Sequence, residues 1–348
     1  MTDFTARRAR LEPLLSSARS LADANTERGQ AARKRLASSG LSPEGIDFAF
    51  ARCLEIAPEE REIEALIGST ATAQVAHVLL SANVFVAAHR AIAIGLAASD
   101  TVRVRPSRRE PEMAELLLAG APGAFQIVSE LSPHAGDRLW AYGSDETLDE
   151  VAVTLPPGVA FHAHGSGFGV GVIDGSVTDT AVSELLPRLA EDIALFDQRG
   201  CLSPRVLLVS GGPEAARDVA RALSLELEQL ETRIPRGRLE PHEAAEITAY
   251  RDTASFTGQV FAAGLGFVSA GSDGQWLLPP SGRNLHVLPT SDALRSLSGL
   301  RPMITSCAFA GEAALRTSLR RSLPGARLCQ FGEMQRPPFD GPVDRRDL

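Results

Sequence analysis

Short apolar runs alternate with segments of helical periodicity along most of the chain, and the turns between them are rich in glycine and proline. A parallel strand needs a crossover connection, usually a helix, before the next parallel strand can pair with it. The alternation therefore predicts an α/β fold with mostly parallel sheets that are covered by helices on both faces. Because 348 residues exceed one ordinary core, we expect two doubly wound domains with a cleft between them.

The element boundaries follow from apolar spacing and from the positions of glycine and proline. In the first half, the pattern predicts helices over 6–36, 75–98 and 111–118, and strands over 63–67, 101–105, 139–142, 160–162 and 169–173. In the second half, it predicts strands over 205–209 and 285–288, helices over 214–231 and 291–297, and an extended proline-rich tail over 337–342. A change in composition near Gly200 marks the predicted domain boundary.

The composition excludes several classes of protein. Hydrophobic residues make up 44% and charged residues 22% of the chain, as in globular proteins, and no apolar run reaches the roughly 18 residues of a membrane span. The net charge of -8 argues against a nucleic-acid surface, which needs clustered cations. Acidic residues interrupt the arginine-rich N-terminal stretch, so we interpret it as a helical segment over 1–50 of a cytoplasmic protein, not as a transit peptide.

Lysine and cysteine usage narrows the chemistry further. Lys34 is the only lysine, which excludes a buried Schiff-base lysine and the Gly-Lys-Ser/Thr of a P-loop. The pair His162 and His164 lacks a third ligand at suitable spacing, so no metal is expected. The four cysteines lie far apart, which predicts reduced thiols instead of disulfides; they are Cys53, Cys201, Cys307 and Cys329.

Cys201 lies in a polar, glycine-containing turn between a predicted helix and an apolar strand. Backbone amides around such a turn can lower the pKa of a thiol and hold a developing oxyanion, so the position suits a nucleophile. The competing interpretation is a small buried hydrophobic residue, which is the commoner role of a free cysteine.

Four segments resemble one enzyme family, in the family's order along the chain. Asp197-Gln-Arg-Gly-Cys201-Leu-Ser-Pro204 resembles the active-site signature of the LuxC-type acyl-CoA reductases, a branch of the aldehyde dehydrogenase superfamily. Residues 94–111 are similar to the superfamily's helix-Gly-strand-Lys-Pro-Ser segment, with Arg105 in the place of the lysine and Ser107 two residues later. Residues 140–147, with Gly143-Ser144, resemble the turn beneath the cofactor, and the tail 332–338 is similar to the end of these reductases.

The resemblance implies an aldehyde-dehydrogenase-like fold and a role for each matched residue. Cys201 would be the nucleophile that accepts the acyl group, in a catalytic domain over 200–310 followed by a C-terminal segment over 311–348. Arg105 and Ser107 would bind the adenosine end of a nicotinamide cofactor, and Gly143 and Ser144 its pyrophosphate, in a domain over 51–199. Because an arginine fork suits a phosphate, NADPH is expected in preference to NADH.

The sequence departs from the family pattern at three places. Gly68-Ser69 stands where the first glycine turn of the family commonly reads Gly-Asn, so a side-chain amide for the oxyanion is not expected there. His164 lies near the position of the general-base Glu of hydrolytic relatives, and a histidine would not activate water as that carboxylate does. It could instead be a structural histidine at a turn. The segment 281–286 lacks the Glu-x-Phe-Gly-Pro motif that holds the nicotinamide ribose.

These observations predict an acyl-thioester reductase that forms a fatty aldehyde through a Cys201 acyl-enzyme. Its substrate would be an acyl-CoA or an acyl-carrier thioester, and an acyl-protein synthetase is a compatible partner. A homo-oligomer is compatible too, because superfamily members are commonly dimers or larger. One alternative is a degenerate relative that binds cofactor or thioester without turnover. Another is a Cys-dependent acyltransferase or thioesterase, in which hydride plays no part.

Overall fold

The computed structural model describes residues 3–346 and begins with helices. They are α1 (Asp3–Ala22), α2 (Glu27–Leu36), α3 (Pro43–Cys53) and α4 (Glu60–Ser69). The single helix predicted over 6–36 is divided, because Thr26 leaves the helical conformation and its hydroxyl caps α2 by accepting from the Gly29 amide.

A first sheet of five parallel strands follows these helices. Its strands are β1 (Ala76–Leu79), β2 (Val102–Arg105), β3 (Gln126–Ile127), β4 (Arg138–Tyr142) and β5 (Ala160–His164). Its connecting helices are α5 (Ala87–Ala98), α6 (Glu112–Gly120) and α7 (Asp145–Thr154). The strand order β3-β2-β1-β4-β5 runs outward in both directions from the centre, which is a doubly wound arrangement.

The position of the first strand was predicted wrongly. The apolar residues Ile63, Leu66 and Ile67 form the buried face of α4 at helical spacing, not a strand. The predicted helix over 75–98 contains β1 and then α5, since all four residues of β1 are buried in the sheet centre. A short apolar run that is buried on both faces gives no periodicity by which to recognise a strand.

The second sheet has seven strands in the order β12-β11-β6-β7-β10-β9-β8. They are β6 (Phe168–Ile173), β7 (Pro204–Ser210), β8 (Gln259–Ala263), β9 (Gly266–Ala270), β10 (Asn284–Thr290), β11 (Ile304–Ala310) and β12 (Arg327–Cys329). Its helices are α8 (Asp179–Ala194), α9 (Pro213–Arg233), α10 (Pro241–Thr257), α11 (Ala293–Leu297) and α12 (Ala313–Ser322). All neighbouring pairs are parallel except the hairpin β8–β9, so the predicted α/β class is confirmed.

The chain passes from the first sheet to the second between His164 and Phe168. The predicted boundary near Gly200 therefore lies inside the second unit, where α8 packs on α9. The composition changes at Gly200 because the polar turn before Cys201 interrupts this unit. Within residues 3–346, no helix is long and apolar enough to cross a membrane.

The turn that leads to Cys201 has an unusual backbone. Phe196, Asp197 and Gln198 have φ angles of 55°, 48° and 67°, in the left-handed region that non-glycine residues rarely adopt. Each such residue costs on the order of 1–3 kcal/mol unless its surroundings fix it. The neighbouring structure must therefore hold this turn in place.

A buried ion pair holds the turn. Arg283, whose exposed fraction is 2%, donates from Nε to Asp197 Oδ1 at 3.0 Å and from Nη1 to Glu231 at 2.9 Å, and its Nη2 forms an ion pair with the same Asp197 oxygen at 2.9 Å. The second carboxylate oxygen of Asp197 accepts from the Gly237 amide at 2.9 Å. Gln198 adds a second anchor, since its side chain donates to Asn284 O at 2.6 Å and accepts from Asn284 N at 2.8 Å.

We expect Arg283→Met to lower the free energy of unfolding by about 3–5 kcal/mol, because it leaves the Asp197 carboxylate buried without its main cation. Urea unfolding at pH 7 measures the change. Arg238→Met is the control: its guanidinium is 77% exposed in an ion pair with Glu240, so a change within about 0.5 kcal/mol is expected. Equal stability of the two variants would contradict the role of the pair.

Candidate active site

A cavity of about 430 Å³ contains the residues singled out around the nucleophile. Cys201, His164, Gly143 and Ser144 all line it. The remaining walls come mainly from α5, from the turn before β7 and from the C-terminal tail. Other residues that line the cavity are Ser81, Asn83, Arg90, Tyr142, Ser166, Phe339 and Asp344.

The cavity lies at the point of the first sheet where the strand order reverses, between β1 and β4. β1 and β4 are neighbours, and their carboxyl ends lead into Ser81 and Gly143, which both line the cavity. Crevices at this point of doubly wound sheets are the usual binding sites for nucleotides. The topology thus brings the turn that leads to Cys201, in the second unit, to the carboxyl ends of β1 and β4 in the first.

Cys201 is placed firmly but its thiol is not activated. Thr305 donates to the carbonyl of Cys201, and Ser306 donates to that of Leu202 at 2.9 Å, so β11 fixes the turn. Burial raises the pKa of the Cys201 thiol to about 11, and the Asp344 carboxylate raises it further while Arg346 opposes. The backbone amide of Cys201 lowers this pKa, as expected for such a turn, but the enclosure of the thiol outweighs that effect.

His164 stands at the end of β5 with its ring stacked on Tyr142, at 4.6 Å between ring centroids. Burial lowers the pKa of His164 to about 4, although the charge of Asp344 opposes the shift. Its buried Nε2 has no hydrogen-bond partner within residues 3–346. His164 is therefore neutral near pH 7 and keeps one ring nitrogen free, whereas His162 stacks on Trp140 and contacts Arg138.

Asn83 is a candidate site residue that the sequence analysis missed. It follows β1 and precedes α5, and it lines the mouth of the cavity together with Cys201. Its side-chain amide can donate to an oxygen that develops charge during attack by a thiol. The sequence analysis took Gly68-Ser69 as the turn after the first strand, but these residues lie at the end of α4.

The C-terminal tail closes one side of the cavity, which the sequence did not indicate. Residues 337–346 contain neither helix nor strand, and Phe339 and Asp344 line the cavity. Arg90 of α5 donates to the carbonyls of Pro337 and Pro338, and its guanidinium lies 5.2 Å from the Phe339 ring centroid. The tail is therefore an ordered wall of the site.

Arg105 and Ser107 are not brought into this cavity. They lie at the carboxyl end of β2, beside β1, with Arg105 paired in register to Leu79. The guanidinium of Arg105 has no hydrogen bond or ion pair among residues 3–346, and Ser107 Oγ accepts from the Arg109 amide at 3.2 Å. Both residues are thus on the same sheet edge as the cavity but one strand away from it.

Two further clefts each share lining residues with the cavity, but they share none with each other. One, of about 700 Å³, shares Ser166, Gly167 and Arg205 with the cavity and extends along α10 and the loop before β10. The other, of about 380 Å³, shares Cys53, Glu55 and Pro337. A bound molecule can therefore approach Cys201 along two separate routes.

No three side chains of His, Cys, Asp or Glu between residues 3 and 346 are grouped as a metal site. A nicotinamide dinucleotide fits the residues that are present. The sheet reversal, the glycine turn after β4 and the unpaired Arg105 are suitable for its pyrophosphate and its adenosine end. Asp145 and Glu146 in the first turn of α7 reduce the attraction of that helix N-terminus for phosphate.

Comparisons with known proteins agree with this geometry. A family model described as acyl-CoA reductase (LuxC) matches residues 63–345 of the chain. Among curated protein sequences, no significant match was found. The resemblance stated from the residues around Cys201 is confirmed by the family model.

Solved structures show the same fold at low sequence identity. The NAD-dependent benzaldehyde dehydrogenase of Corynebacterium glutamicum has a TM-score of 0.70 at 12% identity, covering 96% of this chain and 81% of that chain. Aldehyde dehydrogenase 21 of Physcomitrella patens has a TM-score of 0.68 at 13% identity, covering 100% of this chain and 79% of that chain. The NADP-dependent glyceraldehyde-3-phosphate dehydrogenase of Bacillus halodurans has a TM-score of 0.62 at 13% identity, covering 93% and 78% of the two chains. The protein thus belongs to the acyl-CoA reductase (LuxC) family and has the fold of the aldehyde dehydrogenases.

Proposed function

We propose that the protein reduces an acyl thioester to an aldehyde, with Cys201 as the acyl-accepting nucleophile and NADPH as the reductant. The observation that carries the proposal is the position of Cys201, on a turn fixed by Arg283 and Asn284, in a cavity at the reversal point of the nucleotide-binding sheet. A thiol held at this edge can be reached both by a cofactor and by a substrate.

The first half-reaction is a thioester exchange. The Sγ atom of Cys201 attacks the carbonyl carbon, a new C–S bond forms, and the bond to the carrier sulfur breaks. The proton lost by Cys201 leaves with the carrier thiol, so no charge accumulates overall. In the intermediate, the amide of Asn83 and the amides of the turn are the donors available to the oxyanion.

His164 is the group most suited to move the proton. The resting thiol of Cys201 is protonated, because its pKa is about 11. His164 is neutral, its Nε2 is unpartnered, and it lines the same cavity, so Nε2 can accept a hydrogen bond from the thiol while the proton passes to the leaving carrier sulfur. A carboxylate in its place would activate water and hydrolyse the acyl-enzyme before reduction.

A reduced nicotinamide held here would supply a hydride. Conversion of the acyl-enzyme into an aldehyde also consumes one proton, which restores the Cys201 thiol. On the protein side, Gly143 and Ser144 form the turn beside the sheet reversal, and Arg105 lies at the neighbouring strand end with no anionic partner among residues 3–346. An unpaired arginine there favours a cofactor with a phosphate on its adenosine ribose.

The direct test follows NADPH oxidation at 340 nm with a long-chain acyl-CoA. We expect wild-type turnover and a loss of at least about 10³-fold in Cys201→Ala, because the nucleophile is removed. Cys307→Ala is the control, since Cys307 is buried in the second sheet away from the cavity. Thioester cleavage without NADPH oxidation would favour a thioesterase, and binding without either reaction would favour a degenerate relative.

Arg105→Gln tests the choice of cofactor. We expect kcat/KM for NADPH to fall about tenfold and that for NADH by less than about twofold, because only NADPH loses a charge-assisted phosphate contact. Arg108→Gln, an exposed position in the following loop, should leave the ratio of the two values unchanged. An equal loss with both cofactors would contradict the assignment of Arg105.

The pH dependence of Cys201 alkylation tests the electrostatics of the site. Asp344 raises the pKa of the thiol, so Asp344→Asn should lower it and increase the thiolate fraction at any pH below that pKa. We expect iodoacetamide to modify Cys201 about two- to tenfold faster at pH 8, as one pKa unit is a factor of ten. Peptide mass spectrometry separates Cys201 from the other cysteines. Asp340→Asn is the control for loosening of the tail, because Asp340 pairs with Arg327 outside the cavity; equal acceleration would contradict the charge effect.

A further inference from the structure

We propose that the cleft of about 380 Å³ beside Cys53 binds the phosphate groups of the acyl carrier. The inference rests on the proposed function, because it assigns a place to the part of the thioester that does not react. The cleft is formed by α1, α2, α3, the segment after α3 and the tail after β12. Its arginines are Arg19, Arg33, Arg52 and Arg336.

The lining of this cleft contains more cationic than anionic side chains. Its lining contains four arginines and only two acidic residues, Asp23 and Glu55, in a chain of net charge -8. Guanidinium groups present several N–H donors in a plane and bind phosphates in bidentate fashion. The arginine-rich N-terminal stretch, which the catalytic chemistry does not use, contributes two of the four.

Two of the four arginines, Arg52 and Arg336, are held by carboxylates but keep free donors. Arg52 contacts Glu191 at 3.1 Å, yet its buried Nε has no hydrogen-bond partner among residues 3–346. Arg336 lies 3.6 Å from Glu333, an ion pair too long for a hydrogen bond. The carboxylates paired with the four arginines lie outside the lining of the cleft. They hold the guanidinium groups in place. Arg52 and Arg336 keep donors for an anion, whereas the guanidinium of Arg33 already donates to Asp47 and to three backbone carbonyls.

The basic cleft is continuous with the site of acyl transfer. Cys53, Glu55 and Pro337 line both spaces. Burial raises the pKa of the Cys53 thiol, and the charges of Arg336 and Arg52 oppose that shift, so both guanidinium groups act on the junction. A pantetheine arm that passes this junction would place its sulfur near Cys201 and its phosphates among the arginines.

The cofactor is a poorer occupant than the carrier. No residue of the cleft belongs to a strand of the first sheet, whereas dinucleotides bind at strand ends. The second cleft, which includes Asp145 at the start of α7, adjoins those ends and shares no residue with the basic cleft. The carrier phosphates are therefore assigned to a place apart from the strand ends at which a dinucleotide binds.

Binding measurements on the full chain test the inference without turnover. Isothermal titration calorimetry would compare coenzyme A, 4′-phosphopantetheine and pantetheine with the wild type and with Arg336→Gln. We expect coenzyme A to bind at least about tenfold more tightly than pantetheine. In Arg336→Gln, this ratio of affinities should fall by about five- to tenfold. If Arg336→Gln lowers the affinity for coenzyme A alone, the cleft binds the phosphates of the adenosine part. Loss with phosphopantetheine as well would indicate the phosphate that carrier proteins also have.

Arg217→Gln is a closely matched control. Arg217 is 37% exposed and pairs with Glu214 three residues earlier at 3.7 Å, as Arg336 is 39% exposed and pairs with Glu333 three residues earlier. It lies on α9, outside the cleft, and should bind coenzyme A as the wild type does. Equal affinities of the two variants, or of coenzyme A and pantetheine, would overturn the inference. If the affinities differ as expected but no acyl-CoA is reduced, the cleft is supported and the proposed reaction fails.

Discussion

The buried ion pair between Arg283 and Asp197 is the constraint on which the site depends. Three consecutive non-glycine residues in the left-handed region would relax if the turn were free, and Cys201 would lose its fixed position. Arg283 stands just before β10 and also contacts Glu231 of α9, so the hydrophobic layers of the second unit are coupled to the nucleophile turn. The strain of the turn is thus balanced by a core interaction and not by the turn's own sequence. A polar cluster of this kind must be satisfied throughout, because a half-paired buried charge is costly.

The fixed turn explains how a protonated thiol can still serve as a nucleophile. Enclosure by the tail raises the pKa of Cys201, which keeps the resting site neutral and unreactive. A thioester brings its own proton acceptor, since the departing carrier sulfur becomes basic as the C–S bond breaks. In the proposed reaction, the unpartnered Nε2 of His164 in the same cavity assists the passage of the proton from one sulfur to the other. The geometry therefore suits exchange between thiols better than attack by an exposed, permanently ionised cysteine.

Sequence patterns identified the parts of the fold that have a clear period or a specific turn. The strand at 205–209, the helix at 214–231 and the family match around Cys201 are confirmed, because amphipathic helices and a glycine-containing signature are local signals. The first strand was misplaced because its residues are buried on both sides, and this error concealed Asn83. The roles of Arg90, Arg283 and Asp344 were not accessible, since each depends on contacts with residues far away in the sequence. Long-range polar contacts leave no trace in the local periodicity.

The buried cations of this architecture are arginines. All but one of the 35 lysine and arginine residues are arginines, and the buried ones each bind several groups at once. Arg90 donates to carbonyls of the tail, and Arg205 donates to Pro279 and to Gln198 in the nucleophile turn. Burial lowers the pKa of both to about 10, so both remain charged at neutral pH. A lysine has a lower pKa to begin with and would lose its charge more readily at such positions, and its single ammonium group could not span the same acceptors. The arginine-rich composition therefore gives the protein cations that stay ionised inside it, and these fix the two segments that border the reaction centre.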